Sequence, residues 1–285
     1  MFVPRARHLL RTTKLYNTMV LSQNMSDSAE QSLAAAEQLA AEISQHPTAA
    51  PEKLICTHQP PIPTAIQLLT SPVAPKDPQY EAGTLTRASL APSPFTQFHK
   101  WYTHALTTVP QPETTVLSTA TIPSGRVASR TVYLKTLDTA GFVIFTNLST
   151  SRKASDLATN TWCALNFHWR ELEQQVRVEG LAEFVSRSEN EEYFATRGRE
   201  SQIGAHASRQ SEEIAARGSL EDRVREQEEK WRGRKVECPE GWGGIRVRPV
   251  RVEFWQGRRG RLHDRFVYER EGPEGEVWDI KRLSP

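Results

Sequence analysis

The string R-L-H-D-R-F runs from Arg261 to Phe266. Side chains alternate between the two faces of a strand. Read as a strand, the string puts Arg261, His263 and Arg265 on one face and Leu262, Asp264 and Phe266 on the other. Two fixed cations flanking an imidazole suit an anionic, aromatic ligand with hydrogen-bonding substituents. Exposed sheet faces are often charged, so the string alone also fits a solvated surface. Just upstream, Ile245 and Val247 are apolar at odd positions, whereas Val250, Val252 and Phe254 are apolar at even ones. The phase flips at Pro249, which has no N–H to give a ladder, and a bulge or bend there is the simplest reading. After the flip, Trp255 lies on the face opposite Val252 and Phe254. Its indole could pack over a flat ring there, or serve as an interface or surface tryptophan.

Groups with phosphate-binding chemistry recur at the ends of elements. Arg130 and Lys135 bracket one predicted strand. Arg152 and Lys153 open a short predicted helix, where free backbone N–H groups and the helix dipole already favour an anion. Tyr193, Arg197 and Ser201 form a second group, with Lys135 available from elsewhere in the fold. Each charge-assisted hydrogen bond contributes about 1.5–3 kcal/mol. Any one of these side chains alone reads as a surface charge. Together they allow two phosphate pockets, as a phosphorylated cofactor and a phosphorylated substrate would need.

The elements that must position these groups are mostly short strands. Residues 95–106 have the apolar spacing of a helix. Residues 114–120, 130–136 and 141–147 read as strands of an antiparallel meander. Residues 151–158 form a short helix with Ser151 as its cap. Strands follow at 162–169 and 173–185, and then a helix over 188–196. The interleaved charges of 219–235 predict a solvated helix, with Ser219 and Asp222 fitting its N-terminal cap. Two strands joined by a tight hairpin, 243–256 and 261–270, and a last strand at 276–283 complete the chain. Many short strands and few helices predict a small β-barrel. No G-x-G-x-x-G follows a strand and no G-x-x-x-x-G-K-[ST] occurs, so Rossmann and P-loop nucleotide sites are not supported.

Composition bounds the function classes. The chain has 285 residues, 38% hydrophobic and 25% charged, with a net charge of +2 and a mean hydropathy of -0.56. That allows one substantial domain plus a tail, and it gives no global electrostatic case for nucleic acid. The three cysteines, Cys56, Cys163 and Cys238, are far apart and include no C-x-x-C, so neither a disulfide framework nor a metal site is indicated. No apolar run approaches the roughly 18 residues that span a bilayer, and a soluble protein is expected. Residues 1–26 carry Arg5, Arg7, Arg11 and Lys14 without any Asp or Glu. That matches a mitochondrial transit segment and equally a basic tail, and Met19 or Met25 as a later start would remove it. Cytoplasmic residence is expected, with mitochondrial import left open. Residues 27–46 could form one helix, and eight prolines between Pro47 and Pro78 disfavour regular structure there. Residues 1–78 are therefore expected to be a mostly disordered extension, and 79–285 the folded domain.

From about Tyr80 to Pro285 the chain closely resembles the pyridoxamine 5′-phosphate oxidase family. The strings that carry the resemblance are R-T-V-Y-L-K (130–135), F-T-N-L-S-T-S-R-K (145–153), L-E-Q-Q-V-R-V-E-G (172–180), Y-F-A-T-R-G-R-E-S-Q-I-G-A (193–205), S-R-Q-S (208–211), W-G-G-I-R-V (242–247), E-F-W-Q-G (253–257), R-L-H-D-R-F (261–266) and K-R-L-S-P (281–285). They occur in family order, and S-Q-I-G-A with R-L-H-D-R is highly specific. The resemblance implies an FMN-binding split β-barrel, mainly β with a few helices, working as a homodimer with FMN at the subunit interface.

It also implies roles for particular residues. Arg130, Arg152 and Lys153 would hold the FMN phosphate. Lys135, Phe145, Thr146, Gln175, Gln210, Ser211, Trp255 and Arg265 would meet the rest of the flavin. Lys135, Tyr193, Arg197 and Ser201 would grip the substrate phosphate. Arg261 and His263 would contact the pyridine ring as the catalytic pair. Tyr80 would close over the substrate. Two departures are visible: Phe145 stands where the family often has Tyr, and Asp77 replaces the arginine of the family's R-x-x-Y at Tyr80, with Lys76 as a neighbouring cation. The implied activity is FMN-dependent oxidation of pyridoxamine and pyridoxine 5′-phosphates to pyridoxal 5′-phosphate, with O2 consumed, H2O2 released and ammonia lost from the amine. Alternatives are a flavin- or pyridoxal-phosphate-binding protein without turnover, or a split-barrel flavin oxidoreductase that uses a nicotinamide. No metal, nucleic-acid or membrane partner is expected.

Overall fold

The computed structural model describes residues 80–285. The readings of the extension, of Asp77 and Lys76, and of Cys56 therefore lie outside the described residues. Helix α1 (Pro94–Thr108) starts where Ser93 Oγ accepts the Phe95 N–H and Pro94 takes the first turn. Its buried face carries Phe98, Trp101 and Ala105. Strands β1 (Thr114–Ala120) and β2 (Val127–Tyr133) form an antiparallel hairpin. The short β3 (Thr136–Leu137) and β4 (Phe142–Asn147) form another. Helix α2 (Arg152–Thr159) is capped by Ser151, whose Oγ accepts the Ala154 N–H. Strands β5 (Trp162–Trp169) and β6 (Gln174–Phe184) then pair over their length.

Three helices follow: α3 (Arg187–Thr196), α4 (Arg199–Ala207) and α5 (Arg217–Lys230). The chain closes with the long β7 (Trp242–Gln256), β8 (Asp264–Glu269) and β9 (Asp279–Leu283).

One nine-stranded sheet runs β2-β1-β5-β6-β7-β4-β3, with β8 and β9 branching from β7. Along one edge β7 pairs with β6 from Ile245 to Gln256. Along the other edge its first half pairs with β4 and its second half with β8. The change of partner falls at the expected irregularity. Gly180 opposes Pro249 while Glu179 opposes Arg251, so Val250 is the extra residue of a bulge. Gly180 is required there, since a Cβ would sit 2.1 Å from the Arg248 carbonyl oxygen. The result is a split β-barrel, mainly β, as expected.

The core lies between α1 and the sheet. Phe98 packs edge-on against Phe142 and Phe167 at 5.0 and 4.9 Å, and Trp101 against Phe254 at 5.2 Å. Each such buried side chain contributes about 1.5–3 kcal/mol.

Several expectations are corrected. The meander holds only for β1 and β2, because β4 crosses to pair with β7. The strand expected at 130–136 is β2 over 127–133, which puts Arg130 in mid-strand and Lys135 beyond its end. Helix α5 is capped at Ala216 and not at Ser219, which lies inside its first turn. Helix α4 was not expected, since R-E-S-Q-I-G-A has no clear amphipathic period. The tight hairpin before β8 is a longer loop. Arg259–Arg261 forms a 3-10 turn, Gly260 and Arg261 have φ of 65° and 61°, and the strand starts only at Asp264. Arg261 therefore does not share a strand face with His263 and Arg265, because left-handed backbone breaks the alternation.

Candidate functional site

The sequence-predicted residues gather in two places, at opposite ends of β7. The first is a pocket of about 400 Å³ lined by Arg130, Lys135, Phe145, Thr146, Lys153, Tyr193, Arg197, Gln210 and Trp242, among others. Lys153 is 5% exposed. Its Nζ donates to Thr146 Oγ1 at 2.9 Å and to Gln210 Oε1 at 3.0 Å. Burial, with the Arg130 charge adding to it, pushes the Lys153 ammonium down to about 8. Arg130 Nη1 donates to the Leu117 carbonyl and to Thr119 Oγ1. Arg152 donates its backbone N–H to Ser211 Oγ at 3.1 Å, which joins Ser211 to this group.

The pocket's other wall is aromatic. Phe145 stacks on Tyr193 at 3.9 Å and on Trp242 at 5.4 Å. The Arg197 guanidinium lies 4.8 Å from the Trp242 ring centre, within cation–π range. Arg197 Nη1 is buried without a hydrogen-bond partner among the described residues. A buried guanidinium nitrogen left unmatched is costly and marks a place for an anion. Ser201 sits exposed on the first turn of α4 and does not line this pocket.

The second place is a smaller pocket of about 190 Å³, lined by Gln175, Arg177, Glu253, Trp255, Arg265 and Pro285. Gln175, Trp255 and Arg265 lie side by side in one row across β6, β7 and β8, so Trp255 falls on the expected face. Glu253, 3% exposed, takes Arg265 Nε at 2.8 Å. Next to the row, the His263 ring lies 4.6 Å from Trp255 and 5.4 Å from Tyr80. Burial, then the charges of Arg261 and Arg265, hold the His263 imidazole below its ordinary pKa. The Arg258 backbone N–H donates to His263 Nδ1 at 3.1 Å, so a neutral ring carries its proton on Nε2. Tyr80 rests on Gly257, where a Cβ would meet its ring at 2.7 Å. Its segment is tied down by Glu81 to Arg259 and by the Leu85 N–H to Asp264.

Asp156, Trp242 and Glu253 were not singled out from the sequence. The last two stand inside quoted strings, W-G-G and E-F-W, where their types were visible and their neighbours were not. Asp156 follows Arg152 by one helical turn, the spacing of an ion pair.

The fold and these pockets define a split-barrel oxidoreductase. Residues 103–230 match the family described as pyridoxamine 5′-phosphate oxidase, and residues 242–285 match its pyridoxine 5′-phosphate oxidase C-terminal dimerisation region. The chain is 50% identical over 218 residues to the probable pyridoxamine 5′-phosphate oxidase of Schizosaccharomyces pombe, covering 74% of this chain and 94% of that one. It is 46% identical to the pyridoxamine 5′-phosphate oxidase of Saccharomyces cerevisiae, with the same coverage of each. Among solved structures it superposes on PhzG from Burkholderia lata, determined with tetrahydrophenazine-1-carboxylic acid, at a TM-score of 0.65 and 31% identity over 71% of this chain and 98% of that one. The chain belongs to the pyridoxamine 5′-phosphate oxidase family.

Proposed function

We propose that this chain oxidises pyridoxamine 5′-phosphate and pyridoxine 5′-phosphate to pyridoxal 5′-phosphate with FMN as cofactor. O2 takes up the two electrons and two protons and leaves as H2O2, and with the amine substrate one water is consumed to hydrolyse the imine as ammonia leaves. The observation that carries the reading is the first pocket. It sets four cations against an aromatic wall and leaves a buried guanidinium nitrogen unmatched, as an aromatic phosphate ester requires.

The residues fit a phosphorylated flavin. Arg130, Arg152 and Lys153 would hold its phosphate, at the N-terminus of α2. Thr146, Gln210 and Ser211 would meet the chain and ring near Phe145. Gln175, Trp255 and Arg265 would meet the ring from the second pocket. FMN supplies a two-electron acceptor when bound. Lys135, Tyr193, Arg197 and Ser201 would hold the substrate phosphate and so orient the carbon to be oxidised. Arg261 and His263 would stand against the pyridine ring. In that position the neutral His263, protonated on Nε2, would donate a hydrogen bond to developing negative charge on the ring oxygen. Tyr80 would cover the substrate.

The two groups of residues lie up to roughly 40 Å apart along β7, from Trp242 to Trp255 at about 3.3 Å per residue. A single ligand cannot bridge them within one protomer. A homodimer in which the second pocket of one copy faces the first pocket of the other resolves this, in keeping with the match to a dimerisation region. In this reading the oxidase domain spans 79–285 and residues 1–78 are an extension, with import of that extension into mitochondria left to a localisation experiment.

The test is the visible spectrum of the purified protein without oxygen, before and after addition of pyridoxine 5′-phosphate. A yellow flavin spectrum that bleaches supports both cofactor and substrate. A flavin spectrum bleached only by NADPH would favour a nicotinamide-dependent reductase. A protein that acquires no spectrum with added FMN would sink the cofactor assignment.

A further inference from the structure

We propose that Asp156 is a positioning residue that holds Arg130 and Arg152 side by side so that both address one phosphate. The inference rests on the reading of those arginines as ligands of the FMN phosphate. Asp156 is 1% exposed, whereas the Arg152 side chain it holds is 42% exposed, so Asp156 acts through its neighbours. Its Oδ1 accepts Arg152 Nε at 2.6 Å and Thr121 Oγ1 at 2.9 Å. Its Oδ2 accepts Thr119 Oγ1 at 2.7 Å and lies 3.5 Å from Arg130 Nη2. One carboxylate is thus shared by guanidiniums from β2 and α2 and clamped by two hydroxyls from the end of β1. Burial opposes its ionisation, but hydrogen bonds from Arg152, Thr119 and Thr121 outweigh burial and hold the carboxyl below its usual range.

The charge count supports the same role. Arg130, Arg152 and Lys153 with Asp156 leave a net +2, which a phosphate monoester of about -1.5 to -2 neutralises. Without Asp156, three cations would face one another in a sheltered site.

Two effects of opposite sign follow from its removal. Losing a negative charge strengthens the field on the phosphate. Losing the shared anchor frees two guanidiniums and lets them repel. Because the carboxylate is buried and each bond is charge-assisted, orientation outweighs the field. Around metal ions, losing the partner that orients a ligating side chain costs about 10- to 100-fold in affinity, and the same scale is expected for two guanidiniums that lose their shared anchor.

The experiment compares FMN with riboflavin, which lacks the phosphate, in fluorescence-quenching titrations of the full chain freed of flavin. Asp156→Asn is expected to weaken FMN binding about 10- to 100-fold while riboflavin affinity stays as in the wild type, and Asp156→Glu recovers part of the loss. Unchanged or tighter FMN binding would overturn the proposal, because the field alone would then dominate. Equal losses for both flavins would also overturn it, since that is general damage. If Asp156→Asn does not fold, Thr121→Val, which removes one clamp on the carboxylate, carries the same test with a smaller loss confined to FMN. Wild-type protein that binds no FMN would overturn the cofactor reading, an outcome separate from any difference between variants.

Discussion

Lys153 sits among Thr146 and Gln210 with its ammonium pushed down to about 8 by burial and by Arg130, and this sets a pH dependence. A bound phosphate dianion stabilises the ammonium and raises its pKa. FMN affinity should therefore hold steady at neutral pH and fall as pH rises through about 8, when the ligand-free protein loses that proton. For the ligand-free fold the sign is reversed. The folded value lies below the unfolded one of about 10.4, so this group's contribution to stability rises from about pH 8 to about pH 10.4. Lys153→Met should abolish the alkaline fall in affinity, read in the same titrations at several pH values. Arg197 sits at the other pocket wall. Arg197→Met should raise KM for pyridoxine 5′-phosphate by about 10- to 150-fold, the equivalent of a charge-assisted bond of about 1.5–3 kcal/mol, with a smaller change in kcat. His263→Gln, which keeps an N–H donor, should retain more kcat than His263→Ala. Equal kcat in the two variants would argue against a donor role.

At the scale of elements, β7 does two jobs by changing its partner at the bulge. Gly180→Ala places a methyl against the Arg248 carbonyl, so the β6–β7 register must give way. A loss of about 1–3 kcal/mol is expected in urea unfolding, together with weaker flavin binding, since Gln175 and Trp255 are held by that register. Phe98→Ala, at the centre of the aromatic core and lining neither pocket, should cost about 3–5 kcal/mol with flavin affinity unchanged in the folded fraction. Much of this was legible. Alternation gave β1 and β5 their observed bounds, Ser151 marked the start of α2, and the flipped phase at Pro249 marked the bulge. The failures have physical causes. Loop 257–263 adopts left-handed backbone at Gly260 and Arg261, which no alternation pattern reveals. Helix α4 buries only Ile203 and Ala207 fully, too sparse a stripe to show as a period.

At the scale of the molecule, the separation of the two pockets along β7 makes complementation the sharpest test of assembly. Lys153→Ala disables the first pocket and Trp255→Ala the second. Each variant alone should be nearly inactive. Mixed by unfolding and refolding together, they should recover up to about a quarter of wild-type activity, because half the dimers are mixed and each mixed dimer has one intact site. No recovery would mean that both pockets serve one site within one copy. By itself the sequence determined the barrel class, the family and most of the residues that line the two pockets, because alternation, caps and rare strings are local features. It could not show that Asp156 binds two arginines, that Trp242 backs Arg197, or that His263 Nδ1 accepts the Arg258 N–H. Those depend on contacts between residues far apart in the chain, such as Thr119 with Asp156 and Arg197 with Trp242, and only packing brings such groups within hydrogen-bonding or stacking distance. The tertiary structure alone also placed the two pockets at opposite ends of β7, because the span of that strand and its change of partner at the bulge set the distance between them.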